Sequence, residues 1–149
     1  MPRRVREARQ NPLLLDTHVW IWLMEDVAGR LSSRCLAEIR VATRAGRLFV
    51  SPVSAWEVAM LVAKGRLTLR QDVRLWVSDA IGMEGLYVAA FTVQVALDAA
   101  LLPGAPRADR ADRFLIATAR ALGATLVTRD RAMLEYGSAG HVAVLDAGA

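Results

Sequence analysis

Five short stretches of this chain are apolar with little or no interruption: LLL after Pro12, LFV after Arg47, LYVAAF from Leu86, TLVT from Thr125 and HVAVLD from His141. A strand that alternates apolar and polar residues can leave one face in water, whereas a continuous apolar run has two faces to bury. The segments between the runs can supply that cover. THVWIWLMED, SSRCLAEIRVATRAG, SPVSAWEVAMLVAKG, QDVRLWVSDAIG, TVQVALDAALLP and DRADRFLIATARALG read as helices, several with a serine or acid at the start and a glycine or proline at the end. The pattern predicts an α/β fold with a mainly parallel sheet of about five strands buried on both faces. RLTL reads as a brief extended link, PGAPRA as a loop, and the stretch between TLVT and HVAVLD as a turn containing glycine.

The 149 residues suit one domain, taken as 12–149. The first 11, MPRRVREARQN, read as a basic, solvated arm. A hydrophobic fraction of 54% excludes a disordered chain. The longest apolar stretch, LYVAAFTVQVALDAALL, is broken by Gln94 and Asp98, short of the roughly 18 clean apolar residues of a membrane span. Asp16 and His18 break the apolar run behind the basic start, which argues against a signal peptide. The single cysteine, Cys35, excludes an internal disulfide and a cysteine-based zinc site; it fits a small buried hydrophobe in a reducing cytosol. The expectation is a soluble, cytoplasmic protein. The net charge is +4, and Lys64 is the one lysine among 19 basic residues. That balance favours a polyanionic partner, although a genome rich in arginine codons would give the same bias.

Acids stand at the edges of the most apolar segments. In an open parallel sheet, ligands bind beyond the carboxyl ends of the strands. Asp16 follows LLL directly, Asp130 lies two residues past TLVT, and Glu57 is assigned to the first turn of the helix after RLFVS. These three fall on one edge by topology alone. Asp112, in the first turn of the helix before TLVT, joins them if the loop LPGAPRA returns the chain to that edge. Clustered carboxylates resist joint ionisation. A cation relieves them, and hard oxygen donors suit Mg²⁺ or Mn²⁺, hence phosphoryl chemistry.

Each acid also has a purely structural reading. Asp16 can cap the helix from Thr17. SAWE places Glu57 three residues after Ser54, as in a capping box. Asp109 can be an N-cap with Asp112 in its first turn, and Asp130 a turn residue. His18 and His141 are too far apart in sequence to suggest zinc, and His18 reads as a polar helix residue or a group behind the acids. Trp20, Trp22, Trp56 and Trp76 read as core or subunit contacts rather than base-stacking platforms.

Taken in order, LLLDTHVWIWL, SAWEVAMLVAKGRL and ADRFLIATARALGATLVTRD resemble a PIN domain. The DTH followed by a tryptophan-bearing apolar helix is similar to the VapC-type toxins of toxin–antitoxin pairs. The resemblance covers about residues 12 to 146. It implies a Rossmann-like three-layer α/β/α sandwich and an endoribonuclease dependent on Mg²⁺ or Mn²⁺. The metal-binding, catalytic acids it implies are Asp16, Glu57, Asp112 and Asp130. Thr17 and Thr128 match polar residues that accompany the first and last acids, and Asp109 matches an additional acid. Arg113 and Arg129, nearest the acids, are candidates for substrate contact or charge balance. The resemblance further implies RNA involved in translation as substrate, a homodimer, and a small VapB-type antitoxin whose tail fills the acidic groove. One departure stands out: Arg107 and Arg110 occupy the places of a histidine and a proline common around Asp109 in this subgroup. Two rival readings remain. A phosphohydrolase using Asp16 as nucleophile would want an aspartate where His18 stands. A non-catalytic RNA- or partner-binding module would need none of the acids.

Overall fold

The computed structural model describes residues 11–149. The basic arm expected at 1–11 therefore lies, but for Asn11, outside the described residues. Twelve elements follow in order: β1 (Leu13–Leu15), α1 (Thr17–Met24), α2 (Ser33–Arg44), β2 (Leu48–Val50), α3 (Pro52–Ala63), α4 (Val73–Ile81), β3 (Leu86–Val88), α5 (Val93–Ala100), α6 (Arg110–Leu122), β4 (Thr125–Thr128), α7 (Arg131–Ser138) and β5 (Ala143–Asp146). The sheet has the order β3-β2-β1-β4-β5 and every pairing is parallel. The chain winds outward from β1 to β3 and then returns to place β4 on the other side of β1. The reversal leaves a crevice beyond the carboxyl ends of β1 and β4, the usual ligand position in such sheets.

The central strands are apolar on both faces because each face meets a helical layer. Leu13 and Leu15 of β1 join Val127 and the α1, α2 and α4 residues Trp20, Ile39 and Trp76 in one core. Leu14 and Leu126 face the opposite way, into a second core with Val95, Leu115 and Met133 of α5, α6 and α7. Trp20 and Trp76 meet edge to face at 4.9 Å. Cys35 is fully buried in the first core, and that burial pushes its thiol up to about 11, so it is an inert apolar filler.

Two local readings are corrected. The stretch after TLVT is not a bare turn: residues 131–138 form α7, with Asp130 as its N-cap. Its Gly137 hides the helix in the sequence, yet the glycine has a packing reason, since a Cβ there would lie 2.3 Å from a methyl of Val144 on β5. The capping box at SAWE does not form either. Ser51 caps α3, its side chain accepting from the Val53 amide, and Pro52 takes the first helical position, where no N–H is needed. Glu57 consequently lies in the second turn of α3, not the first, and its side chain is free to leave the backbone.

Candidate active site

Thr128, at the end of β4, is wholly buried. Its hydroxyl donates to Asp16 Oδ2 at 2.8 Å and accepts from the Asp130 amide at 2.9 Å. One side chain thus ties the ends of the two central strands together. Asp16 caps α1 by position only; its side chain makes no cap bond and is aimed across the switch point instead. It is 5% exposed.

Glu57 is placed by a second hydroxyl. Thr17 Oγ1 lies 2.5 Å from Glu57 Oε1 and 2.9 Å from Ser54 Oγ. A hydroxyl has one proton to give. With Glu57 ionised, Thr17 donates to the carboxylate and Ser54 donates to Thr17. Ser54, fully buried on the same α3 face, thereby orients Glu57 rather than capping the helix.

Asp109 caps α6, its Oδ1 accepting from the Asp112 amide at 2.9 Å. Asp130 caps α7 through Oδ1 and the Met133 amide at 3.0 Å. In both cases one carboxylate oxygen is used by the cap. Asp112 projects from the first turn of α6, and among the described residues no group donates to its carboxylate.

Asp16, Glu57, Asp109, Asp112 and Asp130 line one cleft of about 310 Å³, together with His18, Trp22 and Arg129. The acids come from two strand ends and from helices of both layers, α3 and α6. Burial pushes the Asp16 carboxyl up against the lowering effect of the Thr128 bond. Burial also raises Glu57, with Asp16 and Asp109 adding to the rise and Thr17 opposing it. Asp112 is pushed up to about 8, first by burial and then by the charges of Asp109, Asp16, Asp130 and Glu57. The cleft is short of positive charge in the way that a divalent cation corrects. The donor set fits Mg²⁺ or Mn²⁺: every candidate donor is a hard carboxylate oxygen, and Asp112 has no competing partner. Among the described residues, no three of these side chains stand close enough together to hold a metal ion as they are placed. Mg²⁺ asks for less, because it takes one or two carboxylates and completes its shell with water and substrate phosphate.

The remaining candidates divide. Arg129 lines the cleft, with its Nη1 donating to the Arg30 carbonyl at 2.9 Å. Arg113 does not: its guanidinium donates to the Ala99 and Ala100 carbonyls and closes the end of α5. Trp22 and Arg30 were missed. The Trp22 ring lies 5.8 Å from His18, with the guanidiniums of Arg30 and Arg129 at 5.5 and 5.8 Å from its centroid. The four-residue step from His18 to Trp22 sets them on one face of α1, a signal that the sequence does contain.

Comparison with known proteins agrees with this architecture. The family model described as PIN domain matches residues 13–138. Ribonuclease VapC22 of Mycobacterium tuberculosis is 34% identical over 124 residues, covering 83% of this chain and 91% of that protein. Among solved structures, VapBC2 from Rickettsia felis bound to a DNA fragment from its promoter aligns with a TM-score of 0.62 at 12% identity, over 89% of this chain and 96% of that one. FitAB bound to the IR36 DNA fragment aligns with a TM-score of 0.60 at 20% identity, over 92% and 96% of the two chains. The chain therefore belongs to the PIN domain family, with VapC-type proteins as its relatives there.

Proposed function

We propose that this protein is a divalent-metal-dependent endoribonuclease and the toxin of a toxin–antitoxin pair. The observation that carries the reading is the convergence of Asp16, Glu57, Asp112 and Asp130 in one cleft, three of them raised by burial and crowding. A related protein named as a ribonuclease supports RNA as the substrate. The four acids would hold Mg²⁺ or Mn²⁺, which when bound lowers the pKa of a water and stabilises negative charge on a phosphodiester. Thr128 and Thr17 hold Asp16 and Glu57 in fixed orientations, so little reorganisation is needed when substrate enters. Asp112, to which no protein group donates among the described residues, would be the carboxylate most available to the cation. Arg129, at the rim, provides a guanidinium fork for a phosphate oxygen.

RNA involved in translation is the target this reading adopts, with the cytoplasm as its setting. No described helix is long and apolar enough to cross a membrane. The VapBC2 and FitAB complexes support a small VapB-type antitoxin as partner. A homodimer is part of the same proposal: Val93, Leu97 and Leu101 of the α5 region are more than half exposed and give it an apolar surface.

The test is cleavage of a mixed RNA pool by antitoxin-free protein with Mg²⁺, with Mn²⁺ and with EDTA, beside Asp16→Asn. Cuts that need metal and vanish in the variant support the proposal. Neither cleavage nor metal binding by calorimetry would sink it.

A further inference from the structure

A second cavity of about 370 Å³ adjoins the acidic cleft, and Glu57 and Asp109 line both. Trp56, Met60, Leu61, Lys64, Arg66 and Arg110 form most of its remaining wall. The sequence reading made Trp56 a core or subunit contact. It is 56% exposed, the least covered of the large aromatic side chains. It stands one residue before Glu57, on a helix whose inner face is already filled by Ser54 and Val58. Lys64, Arg66 and Arg110 are exposed, and among the described residues none of the three is committed to an ion pair.

This is an aromatic face with three cations beside it, opening from a cleft that is itself acidic. The combination has a physical purpose on a nuclease. Five carboxylates repel a polyanion, so a strand crossing them needs positive charge at close range on its way in or out. An exposed indole offers a sequence-tolerant stacking surface to an unpaired base, and flanking cations hold the phosphates on either side. The 370 Å³ volume is large enough for a base. A paired base would be stacked within its helix and unable to lie on the ring.

We propose that this groove is a subsite for an unpaired nucleotide of the RNA strand beside the cleavage site, its base on Trp56 and its phosphates at Lys64, Arg66 and Arg110. The proposal rests on the ribonuclease reading above. It adds to that reading a specific surface for one base and its phosphates, carried by Trp56 and its neighbouring cations rather than by the acids.

The test uses a fluorescently labelled unstructured RNA of about a dozen nucleotides, long enough to span one such site. Its binding is followed by anisotropy with Mg²⁺ present, in an Asp16→Asn background that leaves the strand intact. Adding Trp56→Leu weakens binding about tenfold or more, while Trp56→Phe keeps most of it, as base–aromatic stacking requires. Lys64→Gln with Arg66→Gln lowers the slope of log affinity against log salt by about 1.4, at about 0.7 per phosphate contact on a single strand. A labelled RNA duplex binds Trp56→Leu and its parent alike. Unchanged single-strand affinity in Trp56→Leu overturns the groove, as does an unchanged salt slope in the double variant. If Trp56→Leu instead lowers the mass in sedimentation and leaves RNA affinity alone, the face is a contact between copies and the proposal falls. If the wild-type protein cuts RNA while Trp56→Leu binds as well as its Asp16→Asn parent, only the subsite is removed. If the wild-type protein neither binds nor cuts RNA with any divalent metal, the ribonuclease reading is removed with it.

Discussion

Thr128 touches Asp16 and Asp130 at once, so its hydroxyl sets the geometry of two acids with a single group. Thr128→Val keeps the volume of a wholly buried side chain and deletes only the hydrogen bonds. The expected outcome is a fall in cleavage or metal affinity of about 10- to 100-fold, the usual effect of losing a group that orients metal ligands. Steady-state cleavage and calorimetry read it, and wild-type values in the variant would show that Thr128 is structural only. Thr17→Val makes the parallel case for Glu57, its hydroxyl partner at 2.5 Å. Of the four acids, Asp16 and Asp130 were legible at this scale because each closes an apolar strand. Glu57 was legible as an acid on the same edge, but SAWE also spells a rival capping box; Pro52 moved the helix start three residues upstream and released the side chain.

Helix α6 shows how an element can carry a site residue and a cap together. Asp109 both ends the loop and donates charge beside Asp112. The two roles separate by substitution. Asp109→Asn keeps an N-cap of equal quality and leaves the melting temperature almost unchanged, while Asp109→Ala costs about 1 kcal/mol. In Asp109→Asn, Asp112 loses its largest charged neighbour, so its carboxyl titrates below the value of about 8 it has beside Asp109; carboxylate NMR titration reads the shift. An unmoved titration would place the Asp109 charge too far away to matter. Helix α7 is the element that sequence reading lost. It is eight residues long, contains Gly137, and begins at an aspartate that also suits a turn. Its glycine is decided by Val144, seven residues further along the chain on β5 but in contact in space. A local pattern cannot encode such a contact.

Across the whole molecule, the acidic cluster is expected to couple stability to pH and, on the proposed function, to a divalent cation. Asp16, Glu57 and Asp112 all have carboxyls raised in the folded chain. A raised acid binds more protons folded than unfolded, so its contribution is fully present below the unfolded pKa and is lost as pH rises through the folded one. For Asp112 that window runs from 3.8 to about 8. Metal-free protein is therefore expected to lose melting temperature between about pH 4 and pH 8. Mn²⁺ or Mg²⁺ should restore more of it at pH 8 than at pH 5, because a cation binds the ionised carboxylates. Thermal melts with EDTA and with metal at both pH values check this. Equal metal effects at both would separate the cluster from the cation. Charge reversal at Arg129 is expected to weaken cleavage of RNA and to make its loss with salt less steep than in the parent, because the phosphate contact proposed for Arg129 would be gone.

The chain order of apolar runs and helical segments was enough to define the layers. Strands with no alternation have two faces to bury, and only helices on both sides bury them. It was enough, too, to put Asp16, Asp130 and Glu57 at the carboxyl edge, because residues just after a strand, and the start of the helix that follows one, have nowhere else to be. Only the tertiary structure decided that Asp112, from the opposite layer to Glu57, meets the other three in one cleft, that Arg113 turns away to close α5, and that Trp56 stands in solvent beside the acids. The reason is the same in each case. Strand and helix periodicity is written in neighbouring residues, whereas a side chain's destination depends on where a helix starts and which distant element it packs against.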